Sequence, residues 1–197
     1  MNTANKITLS RIILSIVIMI VLLFPFDAVG IDLPSYIVNK NIYVELKYIV
    51  AAVLFIIASL TDYIDGKVAR KYNMVTDFGK MIDAISDKML TNSLLVILAS
   101  QGMVSPVIAV VFIVRDIIVD AIKMLIGNKG QAVAAIGVAK LKTATLMLGL
   151  VFSLLYNLPF ELIGINVAGF LLIVSAVLSV VSGFKYFMMA RPYIDAK

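Results

Sequence analysis

Apolar residues fill six long stretches of the chain, each bounded by glycine, proline, asparagine or charged residues. The stretches run from Leu9 to Phe26, Tyr43 to Asp65, Phe78 to Ser100, Val104 to Leu125, Ala134 to Tyr156 and Ile163 to Met189. Each is near or above the ~18 to 20 residues that a helix needs to cross a hydrocarbon core of ~30 Å. The pattern predicts an all-α polytopic membrane protein with six transmembrane helices, forming a single domain over residues 1–197. Pro25, Gly30 and Pro34 punctuate the first connection, Gly102 to Pro106 forms a tight third one, and Asn157-Leu158-Pro159 breaks the fifth. The first apolar stretch has no small-residue cleavage pattern and is followed by further spans, so it reads as a retained helix.

Charge gives the spans a direction. Lys6 and Arg11 lie at the first helix, Lys67, Arg70, Lys71 and Lys80 around the second connection, Lys123, Lys129, Lys140 and Lys142 around the fourth, and Lys185, Arg191 and Lys197 at the end. The alternate connections carry Asp27, Asp32, Lys40, Glu45, Lys47 and Glu161, with little net positive charge. The positive-inside rule then sets both termini in the cytoplasm. The net charge of +5 is spread between apolar segments, which favours an anionic lipid surface over nucleic acid as the partner. With 62% hydrophobic residues and a mean hydropathy of +1.06, the composition agrees. The chain has neither cysteine nor histidine, so disulfides, thiolate sites and imidazole chemistry are excluded and any metal must be held by oxygen.

Against this background one segment is costly to place in a membrane. It reads Asp62-x-x-Asp65-Gly66-x-x-Ala69-Arg70, eight residues, then Gly79-x-x-x-Asp83-x-x-x-Asp87. Asp62 and Asp65 are three apart and Asp83 and Asp87 four apart, so each pair shares one face of its helix. Residues 71–77 are polar enough to turn the chain and let the two helices pack antiparallel. Gly66, Ala69 and Gly79 leave room for close approach of backbone or ligand. Four facing carboxylates cannot all ionise in a low dielectric without cations. Oxygen donors favour Mg²⁺ or Mn²⁺, and two ions would suit four acids. Such a centre could clamp a diphosphate, with Arg70 adding positive charge.

These eight spaced positions resemble the signature of the CDP-alcohol phosphotransferases, membrane enzymes of lipid synthesis. The resemblance implies six transmembrane helices, a homodimer and displacement of CMP from a CDP-linked donor by an alcohol. It also implies that Asp62, Asp65 and Asp83 hold one metal ion, and Asp62, Asp83 and Asp87 a second. Asp87 would be the general base, and Gly66, Ala69, Arg70, Thr76 and Gly79 would line the CDP site. The opening Asn5-x-x-Thr8-x-x-Arg11 looks like the start of the bacterial phosphatidylglycerophosphate synthase subgroup, which adds Asn5 and Thr8 to the donor site. Arg115 followed by an acid, a basic residue at Lys123, and Lys140-Leu141-Lys142-Thr143 resemble its later signatures. The implied reaction passes a phosphatidyl group from CDP-diacylglycerol to glycerol 3-phosphate, whose phosphate Arg115, Lys140 and Lys142 could bind.

Ala4, Ala84, Asp116, Lys123 and Ala139 depart from that subgroup, and lysine cannot copy the bidentate fork of arginine. A related synthase using another phosphorylated alcohol, such as inositol phosphate, is the alternative within the family. A cation-coupled transporter using the same acids is the alternative outside it. Structural roles compete too. Arg115, Asp116, Asp120 and Lys123 are spaced for pairing within one helix, and Lys140 and Lys142 could be cytoplasmic anchors.

Overall fold

The computed structural model describes residues 3–38, 42–71, 77–129 and 136–194; within those ranges the side chains of 3–7, 63–71, 77, 78, 80 and 194 are not described. The six apolar stretches become six helices: α1 (Thr3–Leu23), α2 (Leu46–Lys71), α3 (Asp77–Ser100), α4 (Pro106–Asn128), α5 (Gly137–Leu154) and α6 (Val167–Ile194). The protein is all-α apart from one small hairpin, and α5 and α6 are long and apolar enough throughout to cross a membrane. The charged side chains discussed below stand on α1 to α5.

The hairpin corrects the expected start of the second helix at Tyr43. Residues Ser35–Val38 form β1 and Ile42–Glu45 form β2, paired antiparallel with Tyr36 opposite Val44 and Ile37 opposite Tyr43. The run Ile42-Tyr43-Val44 is β-branched and aromatic, which suits a strand better than a first helical turn. The helix begins only at Leu46, whose N–H donates to the Pro34 carbonyl at the foot of the hairpin.

The punctuation residues act as read. Gly102 turns the chain between α3 and α4 with φ of 75°, and Pro106 opens α4 at a position where its missing N–H costs nothing. After α5, Tyr156 and Asn157 both adopt positive φ. The Asn157 amide donates to Glu161 and to the Ile165 carbonyl and accepts from the Ala168 N–H, tying the end of α5 to the start of α6.

The expected antiparallel packing of α2 on α3 falls largely on residues outside the described side chains. Among the described residues α1 packs against both α2 and α3. The reason lies in α1 itself. Thr8, Arg11, Ser15, Ile18 and Leu22 recur at three- and four-residue spacing and are all buried, so one stripe of α1 faces the bundle. Its apolar part joins Phe55 of α2 and Leu94, Leu95 and Leu98 of α3 in the main core, which continues into Phe112 of α4 and Leu146 and Leu150 of α5. On the other side α6 packs against α4 and α5. There Val119, Ile122 and Ile126 meet Tyr186 and Ala190 in a second, smaller core. Ser175, Ser179 and Ser182 are fully buried on one face of α6 and permit close helix contact.

Candidate active site

The polar part of the α1 stripe positions the acids. Arg11 is 2% exposed, and its Nη1 lies 2.5 Å from an oxygen of Asp62 on α2 and 3.0 Å from one of Asp83 on α3. Two carboxylates from separate helices thus converge on one cationic nitrogen. Asp62 and Asp83 also interact directly with each other. Asp87, one turn along from Asp83, lies within electrostatic reach of Asp62, Arg11 and Lys142. Gly79 stands on the same helix one turn before Asp83. Thr8 is buried one turn before Arg11.

Asn5, Asp65, Gly66, Ala69, Arg70 and Thr76 lie outside the residues whose side chains are described. Among the described residues no three acidic side chains gather into a metal-ligating group. The donor chemistry nevertheless fits a hard divalent cation: carboxylate oxygens from two helices already share one positive centre, with Asp87 beside them. Arg11 supplies that centre here, and among the described residues its buried Nε and Nη2 have no hydrogen-bond partner.

The cationic residues of the sequence reading stand on the facing helices. Arg115, near the middle of α4, is held at every nitrogen. Its Nη1 donates to Asp116 at 2.9 Å, its Nη2 to the Ser182 hydroxyl at 2.7 Å and its Nε to the Ser179 carbonyl at 3.3 Å. Lys142 of α5 is buried, donates to Asp116 at 3.2 Å and lies over the Phe112 ring. Lys140, one half-turn away, is exposed.

Pairing within α4 at three- and four-residue spacing does not describe these charges. Asp116 binds its neighbour Arg115 and, across helices, Lys142. Asp120 pairs with Lys88 of α3, and Lys123 sits over the ring of Tyr186 on α6. Lys88 and Tyr186 are therefore site residues that the sequence pattern did not single out, and Asp116 stood out only as the acid beside Arg115. The sequence pattern marks Arg11 through the charge at the first helix and the opening signature, not as a partner of the acids. A charged residue on the same helical face as two buried hydroxyls, in an otherwise apolar helix, was the available signal.

One cavity of about 580 Å³ joins both groups. Asp62 and Asp87 line it from α2 and α3, Arg115 and Asp116 from α4, and Lys140 and Lys142 from α5. Acids able to bind cations thus share a chamber with cations able to bind an anion. The sequence model of the CDP-alcohol phosphatidyltransferase family matches residues 1–181.

The chain belongs to that family. Its match covers the acidic signature, the α4 cluster and the α5 lysines. A Bacillus subtilis (strain 168) protein named CDP-diacylglycerol–glycerol-3-phosphate 3-phosphatidyltransferase is 38% identical over 186 residues, covering 94% of this chain and 93% of the relative. A Rickettsia typhi protein of the same name is 31% identical over 193 residues, covering 98% of each. A third, from Wigglesworthia glossinidia brevipalpis, is 30% identical over 96% of this chain and 95% of its own length. Family membership sets the acids in a group-transfer enzyme rather than a cation-coupled transporter.

Proposed function

We propose that the protein transfers the phosphatidyl group of CDP-diacylglycerol to glycerol 3-phosphate, giving phosphatidylglycerol phosphate and CMP for phospholipid biosynthesis. The shared cavity carries this reading. Its acid wall suits a metal-bound diphosphate, and Arg115, Lys140 and Lys142 suit the phosphate of an acceptor. The names of the three relatives support the same donor and acceptor.

In this scheme Asp62, Asp65, Asp83 and Asp87 would hold two Mg²⁺ or Mn²⁺ ions. When bound, such ions neutralise the diphosphate and the charge that develops on the leaving group. Asn5, Thr8, Gly66, Ala69, Arg70, Thr76 and Gly79 line the nucleotide end of the donor. Arg115, Lys140 and Lys142 fix the acceptor phosphate and so aim its terminal hydroxyl across the cavity. Asp87 takes the hydroxyl proton, the oxygen bonds to the lipid-bearing phosphorus, and the anhydride bond to CMP breaks with its electron pair leaving on CMP. The proton then passes from Asp87 to solvent.

All six helices are assigned to the membrane, as a homodimer with both termini and the cavity at the cytoplasmic side. Large apolar side chains point outward along them, such as Ile13 and Ile20 on α1, Val107, Val114 and Ile118 on α4, and Phe170, Val177 and Phe184 on α6. Lipid is the solvent such surfaces fit.

The test is CMP release by purified protein mixed with CDP-diacylglycerol, Mg²⁺ and, separately, glycerol 3-phosphate, inositol phosphate or glycerol. Release with glycerol 3-phosphate alone is expected; release with inositol phosphate instead would reassign the acceptor. Asp87→Asn should lower kcat by a factor on the order of 10² or more while CDP-diacylglycerol still binds. Near-normal turnover in that variant would exclude Asp87 as the base.

A further inference from the structure

We infer that Asp116 is a positioning residue for the acceptor's phosphate, holding Arg115 and Lys142 at the spacing one phosphate requires. The inference rests on the proposed acceptor chemistry and adds to it a residue that itself cannot bind an anion.

Asp116 is 7% exposed, a depth at which a carboxylate needs cationic or hydrogen-bonding partners. A single oxygen, Oδ1, accepts from Arg115 Nη1 at 2.9 Å and from Lys142 Nζ at 3.2 Å. Arg115 belongs to α4 and Lys142 to α5, and these two helices are not an extensively packed pair among the described residues. Each is anchored instead to α6: Arg115 through Ser182 and Ser179, and Lys142 through its carbonyl, which accepts from the Ser175 hydroxyl. Asp116 is the direct polar tie between the two cations, and all three residues line the cavity.

Donor arithmetic shows what the arrangement leaves over. A guanidinium has five N–H donors and an ammonium three. Three of those on Arg115 and one on Lys142 are used in these bonds, so each cation keeps two to offer.

Two opposite effects of removing the Asp116 charge can therefore be separated. If Asp116 served only to offset positive charge, Asp116→Asn would make the cavity more cationic and lower the KM for glycerol 3-phosphate. As a positioning residue it acts through geometry, so the variant frees Arg115 and Lys142 to move independently and the KM rises.

The experiment measures kcat and KM for glycerol 3-phosphate, and KM for CDP-diacylglycerol, in the wild type, Asp116→Asn, Asp116→Glu and Ser182→Ala. Asp116→Asn should raise the acceptor KM on the order of tenfold, with kcat and donor KM within about twofold. Asp116→Glu should recover most of the affinity, because a carboxylate one methylene longer still reaches both cations. Ser182→Ala, which releases one nitrogen of Arg115, should raise the acceptor KM by a smaller factor, about threefold. If Asp116→Asn does not fold, the other two variants decide alone. An acceptor KM that falls or stays constant, or a loss confined to kcat, overturns the role of Asp116. Absence of CMP release by the wild type with glycerol 3-phosphate would instead overturn the proposed reaction.

Discussion

Arg11 shows how one side chain can organise residues far apart in sequence. Its guanidinium offsets the repulsion between two carboxylates on α2 and α3, and it does so from a buried stem on α1. The acids themselves are partly open, with side chains 34% and 55% exposed, so solvent weakens each pair below what a fully buried bridge contributes. Arg11→Ala should destabilise the metal-free protein by ~1 to 2 kcal/mol, between the contribution of an exposed pair and that of a fully buried one. Divalent ions binding the same acids would replace the missing positive charge. Thermal melts with and without Mg²⁺ check this: stabilisation by Mg²⁺ should be larger in the variant than in the wild type. Equal stabilisation in both would mean that Arg11 and the cation do not address the same carboxylates. At this scale Asp62, Asp83, Asp87, Arg115 and Lys142 were legible because their types and spacings are unusual in an apolar chain. The bridging of Arg11 and Asp116 was not, since each finds partners on other helices.

Helix number and approximate limits could be read from hydropathy, but helix neighbours could not. The placement of α1 against both α2 and α3 depends on which stripe of α1 is buried, and that stripe mixes Thr8, Arg11 and Ser15 with Ile18 and Leu22. A hydropathy count sees a uniformly apolar helix there. The hairpin was hidden for a related reason: Ile42 to Val44 is as apolar as the helix that follows it. Contact between α5 and α6 is set by small residues whose role appears only once the partner is known. A Cβ added to Gly149 would lie 2.9 Å from Cγ and Cδ2 of Leu172 and 3.3 Å from its backbone nitrogen. The leucine side chain can shift, but the backbone of α6 cannot withdraw without disturbing the serine face beside it. Gly149→Ala should therefore cost ~1 to 3 kcal/mol despite the better helix propensity of alanine, as overpacking does elsewhere. A lower melting temperature with unchanged helix content by circular dichroism is the expected result; an unchanged or raised one would show that the two helices can separate freely.

Across the whole molecule, the acid and cation walls of the cavity make sense only if substrate phosphates can reach it from the compartment that holds them. The end of the bundle carrying the α2 to α3 and α4 to α5 connections is rich in lysine and arginine, whereas the connection from α1 to α2 carries Asp27 and Asp32. The proposed topology, six spans with cytoplasmic termini, would set these two ends on opposite sides of the bilayer. The chain has no cysteine, so single introduced thiols report position without background. Asp32 and Lys129 are both exposed, and the proposed topology gives their connections opposite sidedness. In intact spheroplasts, Asp32→Cys should react with a membrane-impermeant maleimide, and Lys129→Cys only after permeabilisation. Labelling of both from one side would remove the odd number of spans between them that six helices require. The reverse pattern would keep the six spans but turn the cavity outward, away from cytoplasmic CDP-linked substrate and free glycerol 3-phosphate, and the proposed reaction would lose its supply.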